Sequence, residues 1–505
     1  MDTETESEIQ KFYKHKIVFV TGGSGFLGKV IIEKLLRSTE AKRIYVMIRP
    51  KQGQDINERF AAWENDPVFT TLLDAQPKSL ERVMPIAGDC QASDLGINEE
   101  DRRLLVEEVQ VVLHSAATVR FMEPLHVALA INTRAAGLML QLAKEMTRLE
   151  VFVHISTAFS NCVVNHIEER YYPEHLNCTV DQVLQLTDNL SEEMVDGITT
   201  TLLDKFPNTY TYTKALAEQL IQREAGDMPI CVYRPGVIIA SYKEPMSGWI
   251  DNLNGPIALL YGAAFGIVRV SWANYQAQAG IVPVDYCANM ALVCAWKTAQ
   301  ETTRPADPPI YNHVPSDQNL ITWGGFRDKA KDHVRDYPLT QMMWCPFLHF
   351  TSSGLLFRLA AFFYHIIPGF LIDMALRLRG QKSRMLKLYD KVHKNIVILS
   401  PFTIKSWGFE SDNAVKLWQS LTPRDKVLFE FNMRDLDWDN YFLNALRGMR
   451  IYMGKEDPGE ESIKRGQAVL NRFLTLHRIL QCILSSAFAF IMWSLLKYLV
   501  NQRIY

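Results

Sequence analysis

Along the first half of the chain, short runs of β-branched and aliphatic residues alternate with stretches whose apolar positions recur every three or four residues. The runs at 16–20, 43–48, 109–113, 151–155 and 230–234 predict strands, and the spacing between them leaves room for crossover helices such as 29–37. That alternation predicts an α/β fold, a Rossmann-type doubly wound parallel sheet. A strand-like run at 310–314 follows a loop rich in proline and charge at 301–309. From 344 to 376 the chain is rich in Phe and Leu but broken by Arg358, His365, Pro368 and Asp373, a pattern closer to a membrane-surface segment than to a span. A charged helical pattern covers 377–472. Then 18 residues without a formal charge, 479–496, stand between Arg478 and Lys497, long enough for a transmembrane helix. The expected division is therefore a tail at 1–15, a large α/β domain at 16–335, an apolar segment at 336–376, a smaller helical domain at 377–472 and the span.

Composition narrows the class. Of 505 residues, 48% are hydrophobic and 22% charged, and 54 Lys and Arg nearly balance 56 Asp and Glu, so neither bulk disorder nor electrostatic binding of nucleic acid fits. Eight cysteines without a Cys-x-x-Cys pair suggest neither a disulfide framework nor a zinc site, and no metal is expected. The acidic, polar start of the chain lacks the basic-then-apolar order of a secretory signal. Lys464, Arg465, Arg472 and Arg478 precede the apolar tail and Lys497 and Arg503 follow it, an excess that favours a cytosolic body. Nothing in the totals bears on oligomeric state.

Candidate chemistry begins at Thr21-Gly22-Gly23-Ser24-Gly25-Phe26-Leu27-Gly28, between a strand run and a helical pattern. Glycines there permit a tight turn and close approach of backbone to a pyrophosphate, whose charge then sits at a helix N-terminus. The second strand ends in Arg49-Pro50-Lys51, where an NAD-preferring domain carries an acid. Two cations attract a ribose 2′-phosphate, so NADPH is the expected cofactor. Asp89 could accept from the adenine amino group, and Ser115 and Ala116 are small enough to let backbone approach the cofactor.

A second constellation lies at Tyr210-Thr211-Tyr212-Thr213-Lys214. Four residues apart on a helix, Tyr210 and Lys214 share a face, while Tyr212 points away. An ammonium near a phenol favours the phenolate, which would bring the tyrosine pKa toward neutrality and make it a proton donor to a carbonyl receiving hydride. Ser156 and Thr157 end a strand upstream and offer hydroxyls to the same oxygen.

Together with Arg234-Pro235-Gly236, these motifs resemble the extended short-chain dehydrogenase/reductases. More narrowly, Arg49-Pro50-Lys51, His154-Ile155-Ser156-Thr157-Ala158, Asn208-Thr209-Tyr210 with Thr213-Lys214, and Val282-Pro283-Val284-Asp285 resemble the alcohol-forming fatty acyl-CoA reductases. The resemblance implies reduction of long-chain acyl-CoA to a primary fatty alcohol by NADPH through an aldehyde, at an intracellular membrane such as the endoplasmic reticulum or peroxisome. It also implies Tyr210 as general acid, Lys214 as its partner and ribose ligand, and Thr157, with Ser156 as the other choice, as the hydroxyl on the carbonyl oxygen. Arg234-Pro235-Gly236 and Asp285 are read as structural. The rival readings are a tethered extended reductase acting on a sterol or nucleotide sugar, and a non-enzymatic NADP-binding scaffold.

Overall fold

The computed structural model describes residues 6–50, 53–303 and 305–502. Among these, seven strands form one sheet: β1 (Ile17–Thr21), β2 (Arg43–Ile48), β3 (Val83–Ala87), β4 (Val111–His114), β5 (Val151–Ile155), β6 (Ile230–Pro235) and β7 (Ile310–His313). Their order is β7-β6-β5-β4-β1-β2-β3, and every neighbouring pair is parallel. The chain reverses direction of winding between β1 and β4, and the crevice outside the strand ends there is where this architecture takes a ligand. Five strands are where periodicity puts them, within two residues. Of the remaining two, β7 is the strand-like run expected at 310–314, and β3 is a short apolar run of five residues just before Gly88. The fourth strand starts at Val111 rather than 109 because the Val109 N–H closes the preceding helix on Leu105 O.

Helices α1 (Phe26–Ser38), α2 (Thr209–Glu224) and α3 (Val284–Gln300) cover the sheet. α3 is buried nearly all round, which its almost unbroken run of apolar and small residues permits. The core does not stop at the expected domain border. One continuous apolar cluster joins Ile9, Val20, Met290, Phe429, Trp438 and Phe442, so the C-terminal helical region shares its interior with the sheet domain. The N-terminal segment is likewise no loose tail: Glu8–Tyr13 is a helix with Ile9 and Tyr13 buried, and the Ser7 hydroxyl donates to Asp425.

Further on, α4 (Gly354–Leu378) carries one turn of wider π-type winding at Phe362–Ile366, α5 (Met385–Ile404) returns toward the sheet, and α6 (Glu460–Gln502) ends the described chain. α6 runs unbroken through residue 472, the expected end of the helical domain. From Arg478 to Leu499 every side chain is exposed, so the apolar stretch projects from the body rather than filling a core. α4 and α6 are both long and apolar enough, by length and composition, to cross a membrane.

Candidate functional site

The glycine turn sits at the C-terminal end of β1, beside the switch point. Gly22 has φ +70°, and a Cβ there would lie 2.7 Å from Ala116 N; a Cβ on Gly28 would lie 2.2 Å from Gly22 O. Only glycine lets the loop after β4 and the first turn of α1 come this close. No side chain caps α1 and no acid stands in its first turn, which leaves its leading N–H groups and positive dipole end directed into the crevice. The turn is pinned from the other side as well. Thr21 Oγ1 lies 2.8 Å from His114 Nδ1 across the β1–β4 register and accepts from Ala116 N at 3.2 Å. Burial pushes the His114 imidazole down to about 3, so it serves as a neutral hydrogen-bonding strut. Ser115 and Ala116, half-buried, line the same edge. Gly23, Ser24, Gly25, Phe26 and Leu27 complete the loop and open the helix. These residues fit a dinucleotide: a cradle that a Cβ would fill, closed by a helix end with no competing acid.

Arg49 is exposed at the end of β2, while Lys51 lies outside the described residues. A cation that the sequence reading missed is present: Arg59, from the short helix Ile56–Ala61, donates to the Arg49 carbonyl and stands half-buried beside it. Only the fold brings it there, across ten residues of loop and helix. Asp89 is half-buried after β3, its amide donating to Leu95 O at 2.7 Å and its carboxylate accepting from Gln91 N at 3.0 Å.

The two strand-end hydroxyls part company. Ser156 Oγ donates to Glu218 Oε1 at 2.5 Å, inside a buried network where Arg234 pairs with the same carboxylate at 2.6 Å and Asn161 donates to it at 3.1 Å. Thr157 Oγ1 instead accepts from Phe159 N at 3.2 Å and stands on the Tyr210 side, close enough to pull the phenol pKa downward. Glu218 was not singled out from sequence, although the repeat of four that joins Tyr210 to Lys214 reaches it at the next step. Arg234 also donates to Glu168 O and Arg170 O, and Asp285 accepts three consecutive amides, Tyr242, Lys243 and Glu244, so both hold loops.

Asn208 caps α2 by accepting from Thr211 N at 2.9 Å, which fixes where the Tyr210 turn begins. Tyr212 faces the opposite way, into the core against Phe206. One expectation is corrected here. The Lys214 ammonium donates to Ile155 O at 2.8 Å and does not depress Tyr210; burial raises the phenol to about 12, against the pull of Thr157. Burial also lowers Lys214 to about 8, with Glu218 opposing it. Desolvation is the largest cause for both groups, and neither enters the other's shift.

Beyond Tyr210 an aromatic wall closes the crevice. Its ring stacks on Phe121 at 5.7 Å, Phe121 meets Phe402 at 5.5 Å, and Phe402 packs against Phe159 and Trp407. Phe402 comes from α5, so the C-terminal region contributes directly to the neighbourhood of Tyr210. No single-element pattern in the sequence links positions 121, 210 and 402.

A parallel sheet of this order with a dinucleotide-type turn at its switch point defines an NAD(P)-binding domain. Solved structures agree on the fold: the terminal R domain from the myxalamid PKS-NRPS biosynthetic pathway superimposes with TM-score 0.56 at 18% identity, covering 88% of this chain and 93% of that one. The reductase domain of a non-ribosomal peptide synthetase from Mycobacterium tuberculosis gives 0.56 at 16%, over 90% and 96%. Two family models, both described as male sterility protein, match residues 20–291, the NAD-binding part, and 364–456. Fatty acyl-CoA reductase wat of Drosophila melanogaster is 40% identical over 98% of this chain and 95% of its own length. Fatty acyl-CoA reductase 1 of Xenopus laevis is 37% identical over 89% and 87%. The chain belongs to the fatty acyl-CoA reductase family. Neither the sterol or nucleotide-sugar reading nor the scaffold reading has comparable support.

Proposed function

We propose that the chain reduces long-chain acyl-CoA to a primary alcohol and CoA, with NADPH as reductant. The observation that carries the reading is the Tyr210 phenol, drawn on by Thr157 and walled by Phe121 and Phe402, in a sheet domain whose switch point holds the glycine turn. The turn at Gly22–Gly28 and the N-terminus of α1 would hold the pyrophosphate, Arg49 with Arg59 and Lys51 the 2′-phosphate, and Asp89, Ser115 and Ala116 the adenine side and the adjoining backbone. When bound, the cofactor supplies hydride.

Two reductions are needed, each consuming one NADPH and one proton. In the first the thioester carbonyl is reduced and the C–S bond breaks, releasing CoA as its thiol and leaving an aldehyde; in the second the aldehyde becomes the alcohol. Thr157 donates to the substrate oxygen as negative charge grows on it, and Tyr210 Oη gives that oxygen its proton. Raised to about 12, the phenol is protonated at neutral pH, the form an acid must have. Lys214, held on Ile155 O, is positioned to bind the nicotinamide ribose and to offset the negative charge left on the phenolate once the proton has left. Ser156 holds Glu218 and Arg234 in place rather than touching substrate.

The apolar stretch of α6 is read as a membrane anchor on an organelle such as the endoplasmic reticulum or peroxisome, the body facing the cytosol; the cations that precede it support this orientation. The test is turnover of purified full-length protein with a panel of acyl-CoAs and either NADPH or NADH, with products identified by mass spectrometry. Two NADPH consumed per alcohol formed is the expected result. Absence of alcohol from every thioester overturns the reading, and equal rates with NADH overturn its cofactor half.

A further inference from the structure

The outer face of α4 has no use in the reaction and does not resemble a water-facing surface. Toward the body the helix turns Phe357, Ala361, His365, Gly369 and Asp373, a row with one residue every four. The small members let it lie close: a Cβ on Gly369 would sit 2.9 Å from the Tyr389 ring of α5. The polar members are satisfied inside. His365 Nε2 accepts from Arg269 N at 2.9 Å and its Nδ1 lies 2.8 Å from His393 Nε2; the Asp373 carboxylate accepts from the amides of Arg384, Met385 and Leu386 at 2.8, 2.9 and 3.0 Å. Outward stand Leu355, Leu359, Phe362, Phe363, Phe370 and Leu371, Leu355 with 77% of its surface exposed. Polar side chains in and hydrocarbon out inverts the order of an amphipathic helix in water.

We infer that α4 lies in the plane of a lipid bilayer, with its outer face among the acyl chains, as a membrane contact separate from α6. Three observations select lipid over a protein partner. The helix has one acid, Asp373, and it points inward, whereas Arg358 and Arg377 are exposed near its two ends, where their stems can lie along apolar surface and their charges reach headgroups. Second, the face is continuous with the start of the apolar stretch of α6: Tyr364 meets Phe347 at 5.6 Å, Phe347 stacks on His477 at 5.2 Å, and Trp344 Nε1 lies 3.2 Å from His477 Nδ1. His477 is two residues before Ile479, where the uncharged stretch opens, so both apolar surfaces leave the body at one level, marked by rings suited to the headgroup region. Third, α4 is clamped along its length. The strand His349–Thr351 just before it pairs with Val270–Trp272, and α5 just after it runs to Phe402 at the crevice. A helix held flat against a folded body cannot pass through a bilayer, so its length and apolarity are met by lying on one.

The orientation rests on α6 being the anchor; the immersion of α4 rests on its own face. The test uses the full chain in phosphatidylcholine vesicles containing phosphatidylserine, with Cys178→Ser and Cys482→Ser removing the accessible thiols. An environment-sensitive fluorophore is placed at Leu355→Cys, Phe363→Cys or Leu371→Cys, with Val427→Cys as a body control and Ile483→Cys reporting α6. NADPH binding verifies the fold of each variant. The three α4 probes are expected to be quenched several-fold more by lipid-borne nitroxide than Val427→Cys, to be shielded from iodide, and to share one shallow depth. Iodide access at all three overturns the inference, as does exclusion of both quenchers, which would mean that a protein covers the face, or a depth that changes steadily from 355 to 371, which would mean a span. Iodide access at Ile483→Cys alone overturns the anchor reading and leaves the immersion of α4 standing.

Discussion

Ser156 and Thr157 are neighbours in sequence, yet the first gives its hydroxyl to Glu218 at 2.5 Å while the second turns to Tyr210. Successive residues leaving a strand point to opposite sides, so the two cannot serve one oxygen together. Thr157→Ala is therefore expected to lower kcat about 10²- to 10³-fold, the usual loss for a donor to a developing oxyanion. Ser156→Ala should keep far more activity and instead lower thermal stability, since it strips a hydrogen bond from a buried carboxylate, about 1–3 kcal/mol. Steady-state kinetics and melting curves on both variants decide the assignment, and the reverse pattern would make Ser156 the substrate ligand.

Tyr210→Phe keeps the ring stacked on Phe121 but removes the proton. Turnover should collapse while NADPH titration is unchanged. Tyr212→Phe should leave turnover intact and stability unchanged or slightly higher, because the Tyr212 hydroxyl is buried without a hydrogen-bond partner among the described residues. Equal loss of activity at both tyrosines would refute the two-face arrangement of α2.

Replacing Arg49 and Lys51 by neutral residues should raise the Kd for NADPH much more than that for NADH, because only the former carries a 2′-phosphate. Arg59→Ala should act in the same direction, since its guanidinium stands beside Arg49. Equal weakening of both cofactors would place these cations elsewhere in binding.

Lys214 sets an alkaline limit. Its buried ammonium is lowered to about 8, so it is charged below that pH and neutral above it. The kcat/KM profile, which reports the free enzyme, should fall as pH rises through about 8. The same depression works on stability with the opposite sense: the unfolded chain binds the proton more tightly, so this group's cost to folding shrinks as pH rises from about 8 toward the ordinary lysine value. Lys214→Arg, charged throughout this range, should remove the limb from whatever activity it retains; a limb that persists belongs to another group.

Phe402 tests whether the C-terminal helical region takes part in catalysis. Phe402→Leu preserves apolar volume approximately and should leave NADPH affinity alone, while kcat/KM for acyl-CoA falls through loss of the ring against Phe121. An unchanged value for every chain length would mean that α5 only covers the site.

The parts legible in the sequence share one property, which is that their signal is local. β-branched runs showed strands, glycines between a strand and a helix showed a nucleotide-type turn, a spacing of four put Tyr210 and Lys214 on one face, and 18 residues without charge marked the apolar stretch of α6. Each is a matter of backbone geometry over a few residues. Tertiary structure decided what depends on residues far apart. It set Ser156 on Glu218 and Arg234, brought Phe402 to Phe121 across most of the chain, stood Arg59 beside Arg49, and merged the expected helical domain into the core of the sheet. It also reversed the sign expected for Tyr210, because a shared helix face is visible in spacing, but the Lys214 hydrogen bond to Ile155 O and the desolvation of the phenol exist only once both groups are enclosed.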